Sequence, residues 1–117
     1  MKSAAFTVNS HFENKNAVVR QIYDRLVKDS RKFGPVIEDP KKTSIHLVRK
    51  SAFAGVATRR TAIVLTFKSD RKLSSARLNK SGQASAKRFH HQAKPTLPDE
   101  VDTELLKWLK DAGALSG

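Results

Sequence analysis

Apolar residues alternate with polar ones through the middle of the chain. Between Thr43 and Phe67 the pattern divides into three short segments, residues 44–49, 52–57 and 61–67. Ile45 and Leu47 share one face of the first, and Ile63, Leu65 and Phe67 share one face of the third. A two-residue period in β-branched and aromatic side chains predicts half-buried strands. Gly55 inside the second segment points to a bulge or a close backbone approach. Residues 57–60 read as a turn, residues 69–72 as a polar loop.

The flanks have a different period. From Ala17 onward Val18, Val19, Ile22, Leu26 and Val27 recur at three and four, the stripe of an amphipathic helix. Ser10 with Glu13 has the spacing of a capping box, and Asn16 offers a second start. Gly34 and Pro35 stop this helix, and Phe33 is expected to fold back onto the core. At the other end Asp99 is expected to cap a helix carrying Val101, Leu105, Trp108 and Leu109, with Gly113 ending it. Acidic residues crowd its first turns, where the helix dipole favours them. Three weaker strands are expected at residues 36–38, 76–79 and 85–93, with a turn around Gly82 between the last two. The expected fold is α+β: an antiparallel sheet of four to six strands with an N-terminal and a C-terminal helix packed on one face. One domain spans residues 1–117, its core at about 10–112, with flexible tails at 1–9 and 113–117.

Charge sharpens this picture. The net charge is +12, and residues 41–94 hold 14 Lys and Arg against the single acid Asp70. The excess therefore coincides with the sheet, and one greasy and one basic face are expected. A basic block of this kind attracts polyanions. The chain has no cysteine, which removes disulfides, thiolate nucleophiles and zinc–thiolate sites. No apolar run approaches a membrane span, and no secretory leader, a cytoplasmic setting and no membrane partner are expected.

Candidate chemistry is sparse. His11, His46, His90 and His91 are the strongest candidates. Adjacent strand residues point to opposite faces, so His90 and His91 do not share a metal, whereas His90 opposite His46 would pair or bind a phosphate. No His-Glu-x-x-His, nucleophile elbow or glycine-rich phosphate loop occurs. The carboxylate pairs Glu38-Asp39 and Asp99-Glu100 adjoin prolines and suit turns and caps. No catalytic residue, metal or cofactor is expected. Phe12, Tyr23, Phe33 and Trp108 read as core; Phe53 and Phe89, beside the basic block, are either core or stacking platforms.

The chain resembles a family of small bacterial domains of unknown function. The similarity rests on His11-Phe12, Phe33-Gly34-Pro35-Val36, Lys42-Thr43-Ser44-Ile45-His46-Leu47, Phe53-Ala54-Gly55-Val56, Phe89-His90-His91 and the segment from Val101 to Leu109. It covers about residues 7–112. The resemblance implies an α+β fold and no established activity or catalytic residue. Some members carry the label of predicted transport protein, which does not suit a chain with no membrane span. The domain also occurs joined to nuclease-like or other uncharacterised modules.

The expected function is a non-enzymatic binding module whose basic sheet surface contacts nucleic-acid phosphates with little sequence preference. The expected contacts are Lys42, Arg49, Lys50, Arg59, Arg60, Arg77, Lys87 and Arg88, with His46 and His90. The alternative is a protein-interaction module docking an acidic partner. The oligomeric state is not set by the sequence.

Overall fold

The computed structural model describes residues 7–73 and 75–116. Six antiparallel strands form one sheet, and two helices pack on one of its faces. This is the expected α+β arrangement, at the upper end of the expected strand count. The expected loose lead at residues 1–9 lies partly outside the described residues, as does Gly117. Residues 9–12 form a single 3-10 turn, and Ser10 exchanges hydrogen bonds with Thr7 rather than forming a capping box with Glu13.

Helix α1 (Ala17–Ser30) starts after Asn16, the second of the two expected starts. It runs into a 3-10 turn, Arg31–Phe33, and stops at Gly34, whose φ of 147° favours a residue without a side chain. Phe33 is half-exposed rather than folded into the core, with the Lys110 ammonium 5.7 Å from its ring. Strand β1 (Ile37–Pro40) runs through Asp39 and Pro40 instead of ending before them. It is an edge strand, where proline leaves no ladder hydrogen bond unmade.

Strands β2 (Ile45–Val48), β3 (Ala52–Thr58) and β4 (Ile63–Ser69) follow the central alternation closely. The register shifts between Leu47 and Val48, which leaves Phe53 as the extra residue of a bulge. The irregularity thus sits two residues before Gly55. Strand β5 (Leu78–Ser85) and strand β6 (Arg88–Ala93) differ from expectation. Gly82 is in mid-ladder opposite His90, and the chain turns at Ala86 and Lys87. A glycine in a polar stretch resembles a turn signal, but here the hairpin partner supplies the hydrogen bonds. The strand order is β1-β2-β3-β4-β6-β5, so β5 is the second edge.

Helix α2 (Thr103–Ser116) begins three residues later than Asp99 would place it. Pro98–Glu100 forms a separate 3-10 turn, and the Asp102 carboxylate accepts the Leu105 N–H at 3.1 Å, the capping contact. The helix also continues through Gly113 to Ser116, where an end at Gly113 and a loose tail were expected.

The core lies between helices and sheet. Val19, Ile22 and Leu26 of α1 and Leu105 and Leu109 of α2 meet Ile45, Leu47, Val56, Leu65 and Phe67. Truncating one of these leucines to alanine is expected to cost about 2–5 kcal/mol. Trp108 is only partly buried and stacks on Phe67 at 5.6 Å between ring centroids. Tyr23 is buried, and its hydroxyl donates to Glu38 Oε1 at 2.6 Å. Burial, then that hydrogen bond, push its pKa far above the ordinary phenol value. Together the helices leave one whole face of the sheet uncovered.

Candidate binding surface on the open face of the sheet

Paired residues in a ladder point to the same side, so the register fixes what the open face displays. One continuous row crosses all six strands: Asp39, His46, Gly55, Thr66, Gln92 and Lys80. The next row towards the β5–β6 turn contains Lys68, His90 and Gly82. Because Gly55 carries no side chain at the centre of the first row, the surface dips there. A trough of about 300 Å³ results, with His46, Gly55, Ala57, Val64, Thr66, Lys68 and His90 among its lining residues. A neighbouring depression of about 250 Å³ shares Thr66 and His90 and adds Lys80 and Gln92.

His46 and His90 both border the trough but do not meet. They stand on β2 and β6, three strand spacings or about 14 Å apart, with Gly55 and Thr66 between. Direct pairing, one of the two expected alternatives, is therefore replaced by two imidazoles that line one depression from different strands. The other histidines serve the fold. His11 Nε2 lies 2.8 Å from the Lys41 carbonyl. His91 is buried, with Nδ1 2.8 Å from Ser81 Oγ and Nε2 accepting the Leu73 N–H at 3.3 Å. No cluster of three or more metal-ligating side chains occurs among the described residues.

The basic residues are placed differently from a uniformly basic face. Strands bring Lys68, Lys80 and Arg88 onto the open side, while most cations sit on the turns at its two ends. Lys42 lies between β1 and β2, and Arg59 and Arg60 lie between β3 and β4, at one end. Lys50 lies between β2 and β3, and Lys87 and Arg88 adjoin the β5–β6 turn, at the other. Seven-residue β4 separates the ends by about 20 Å. Among the described residues, no carboxylate is within ion-pair distance of Lys42, Lys50, Arg59, Arg60, Lys87 or Arg88.

Two of the expected contacts have other work. Arg77 donates to Asp102 at 2.8 Å, Glu104 at 3.1 Å and the Glu100 carbonyl at 2.6 Å, with its guanidinium over the Trp108 ring. Partial burial works against its charge, but the hydrogen bonds to both carboxylates outweigh this and raise its pKa. The same hydrogen bond from Arg77 is the main cause that lowers Asp102. Arg49 packs its guanidinium 5.5 Å from the Phe53 ring, against Gly34 and Gly113, and donates to the Pro35 carbonyl at 3.4 Å. Both arginines therefore brace α2 from the sheet and are withdrawn from a phosphate-binding set. Phe53 is buried beneath Arg49. Phe89 pairs with Ser69 and Gln83 on the covered side and stacks on His91 at 6.3 Å. Phe53 also lines the trough, although only 2% of it is exposed, whereas Phe89 belongs to the covered side.

The trough was missed by sequence reasoning. Gly55 and the small residues around it were the available signal, but only the register places them opposite Thr66 and between the histidines.

The chain belongs to the family described as domain of unknown function (DUF5655), which matches residues 8–115. No curated protein and no solved structure matches it.

Proposed function

We propose that this domain is a non-enzymatic module that binds the phosphate backbone of nucleic acid across the open face of its sheet. The observation that carries this reading is the set of six cations at the two ends of that face with no carboxylate within ion-pair distance among the described residues. Paired surface charges largely neutralise one another; these retain their full field and point to a polyanion. Lys68, Lys80, His46 and His90 extend the set across the face. Sequence tolerance follows, because contacts to phosphates fix position and carry no base information. Binding rather than catalysis is favoured because His11 and His91 are engaged by the fold and the two trough histidines stand apart. A bacterial cytoplasm and an occasional nuclease-like neighbour suit such a module.

The test is a titration against duplex DNA, single-stranded DNA and a non-nucleic polyanion at two salt concentrations. Affinity for nucleic acid that falls linearly with log salt is expected. Absence of binding at low salt would remove this reading.

The second reading, docking of an acidic protein, is favoured by β5. Among the described residues this eight-residue edge strand has β6 as its one ladder neighbour and offers its other edge for strand addition. A partner of defined stoichiometry, sensitive to Gln83→Pro and to apolar substitutions, would favour it.

A further inference from the structure

We infer that the trough between His46 and His90 seats one unstacked base of a single-stranded nucleic acid. This rests on the polyanion reading above and adds to it the form of the ligand. A convex basic surface would bind any backbone equally, but this face is concave at its centre. The apolar lining of the trough includes Ala52, Phe53, Ala54, Gly55, Ala57 and Val64, and the trough encloses about 300 Å³. That volume is at the lower limit of small-ligand sites and takes one flat heterocycle rather than two.

The rim has the matching chemistry. Thr66 offers a hydroxyl, and the amide of Gln92, from the adjoining depression, lies 3.5 Å from it. Both groups donate and accept, as neutral imidazoles do, so they can meet the edges of any base. Lys68 and Lys80 lie on either side of the His90 and Gln92 positions, one on β4 and one on β5. They are placed for the phosphates flanking the seated base. At Gly55 the peptide plane itself is uncovered, and a base can lie flat on it. A duplex cannot use this seat without unstacking and unpairing a base, at a cost of a few kcal/mol. A single strand presents its bases without that cost, so the trough gives single strands an advantage the turns alone do not.

Gly55→Val places a branched side chain over the bare peptide at the centre of the trough. An added Cβ meets only His46 Cδ2 at 4.0 Å, an ordinary contact, and valine favours strands. The experiment compares three fluorescent ligands by anisotropy: a mixed-sequence single strand, an abasic strand of equal length and a duplex. Circular dichroism confirms folding. Wild type is expected to bind the base-bearing strand about tenfold more tightly than the abasic strand, the lower part of the range known for a base stacked on an aromatic ring. Gly55→Val should reduce the base-bearing strand to the abasic level and leave the salt slope unchanged. Equal binding of both strands by wild type, a preference for duplex, or a base preference that survives in a folded Gly55→Val overturns the inference while leaving the backbone reading in place. Should Gly55→Val not fold, the wild-type comparison of the two strands decides. If wild type binds none of the three at low salt, the backbone reading fails and this inference with it.

Discussion

Arg77 and Asp102 hold the start of α2 to the edge of the sheet, with Nη1 of the arginine 2.8 Å from Oδ1 of the aspartate. Asp102 at the same time caps the helix through the Leu105 N–H. One carboxylate thus joins a local contact to one 25 residues distant in sequence. The pair is partly exposed, so its Coulomb attraction is modest, but Arg77 also donates to Glu104 and the Glu100 carbonyl. Arg77→Ala should therefore cost about 1–2 kcal/mol.

The pair also sets a pH dependence. The folded pKa of Asp102 lies below its ordinary value of 3.8, so its contribution is present above that value and is lost as pH falls through the folded one. Asp102→Asn keeps the cap and loses the charge. Its stability deficit relative to wild type should be constant at neutral pH and shrink below about pH 4. Urea melts at a series of acidic pH values measure this, and a deficit that grows on acidification would contradict it.

At the other end of α2, Arg49 and Gly113 make a testable couple. A Cβ on Gly113 would stand 2.7 Å from Arg49 Nη1 and 2.9 Å from Cζ. Gly113→Ala should therefore displace Arg49 from Phe53 and destabilise wild type, despite a gain of about 1 kcal/mol in helix propensity. In the Arg49→Ala background the same substitution should stabilise by about that amount. Identical effects in both backgrounds would show that the slot does not exist.

These two arginines also mark where sequence reasoning stopped. Alternation placed Ile45, Leu47, Ile63, Leu65 and Phe67 on the buried face, and three-and-four spacing placed both helices. Arg49 and Arg77 look like any other basic residue in the block, because their partners are Gly34, Gly113, Asp102 and Glu104, distant in the chain. Gly113 and Gly82 both resemble breakers. One instead leaves room for a guanidinium and the other pairs with His90 in a ladder. Strand β5, Leu78–Ser85, is polar and aperiodic, so only its pairing with β6 defines it. The candidate surface had the same limit. The histidines and cations could be named from sequence, but their separation, and the trough between them, depend on strand order.

The single tyrosine gives an internal probe. Tyr23 in the folded chain keeps its proton well above pH 10.0, whereas the unfolded chain ionises there. Stability should therefore fall as pH rises past about 10, and phenolate absorbance should appear together with loss of the helical dichroism signal. Absorbance that rises near pH 10 with dichroism intact would contradict the burial.

Ser30 is 2% exposed, and its Oγ has no hydrogen-bond partner among the described residues. An unpaired buried hydroxyl is a net cost, and alanine is the better helix former. Ser30→Ala should raise stability by about 1 kcal/mol, read from the denaturation midpoint. A loss of stability would mean that the hydroxyl is satisfied.

The most direct test of polyanion binding is the slope of log affinity against log salt for a single-stranded oligonucleotide. Each neutralised phosphate contributes about −0.7 for a single strand. Alanine at both Arg59 and Arg60, or at both Lys87 and Arg88, should flatten the slope by about 1.4 if each side chain contacts one phosphate. The control pair is Lys28 and Lys32 on and just after α1, on the covered side of the sheet. Unchanged slope for the control and a flattened slope for both test pairs is the expected result. Equal loss in all three, or no measurable binding by wild type at low salt, would contradict a nucleic-acid surface on the open face.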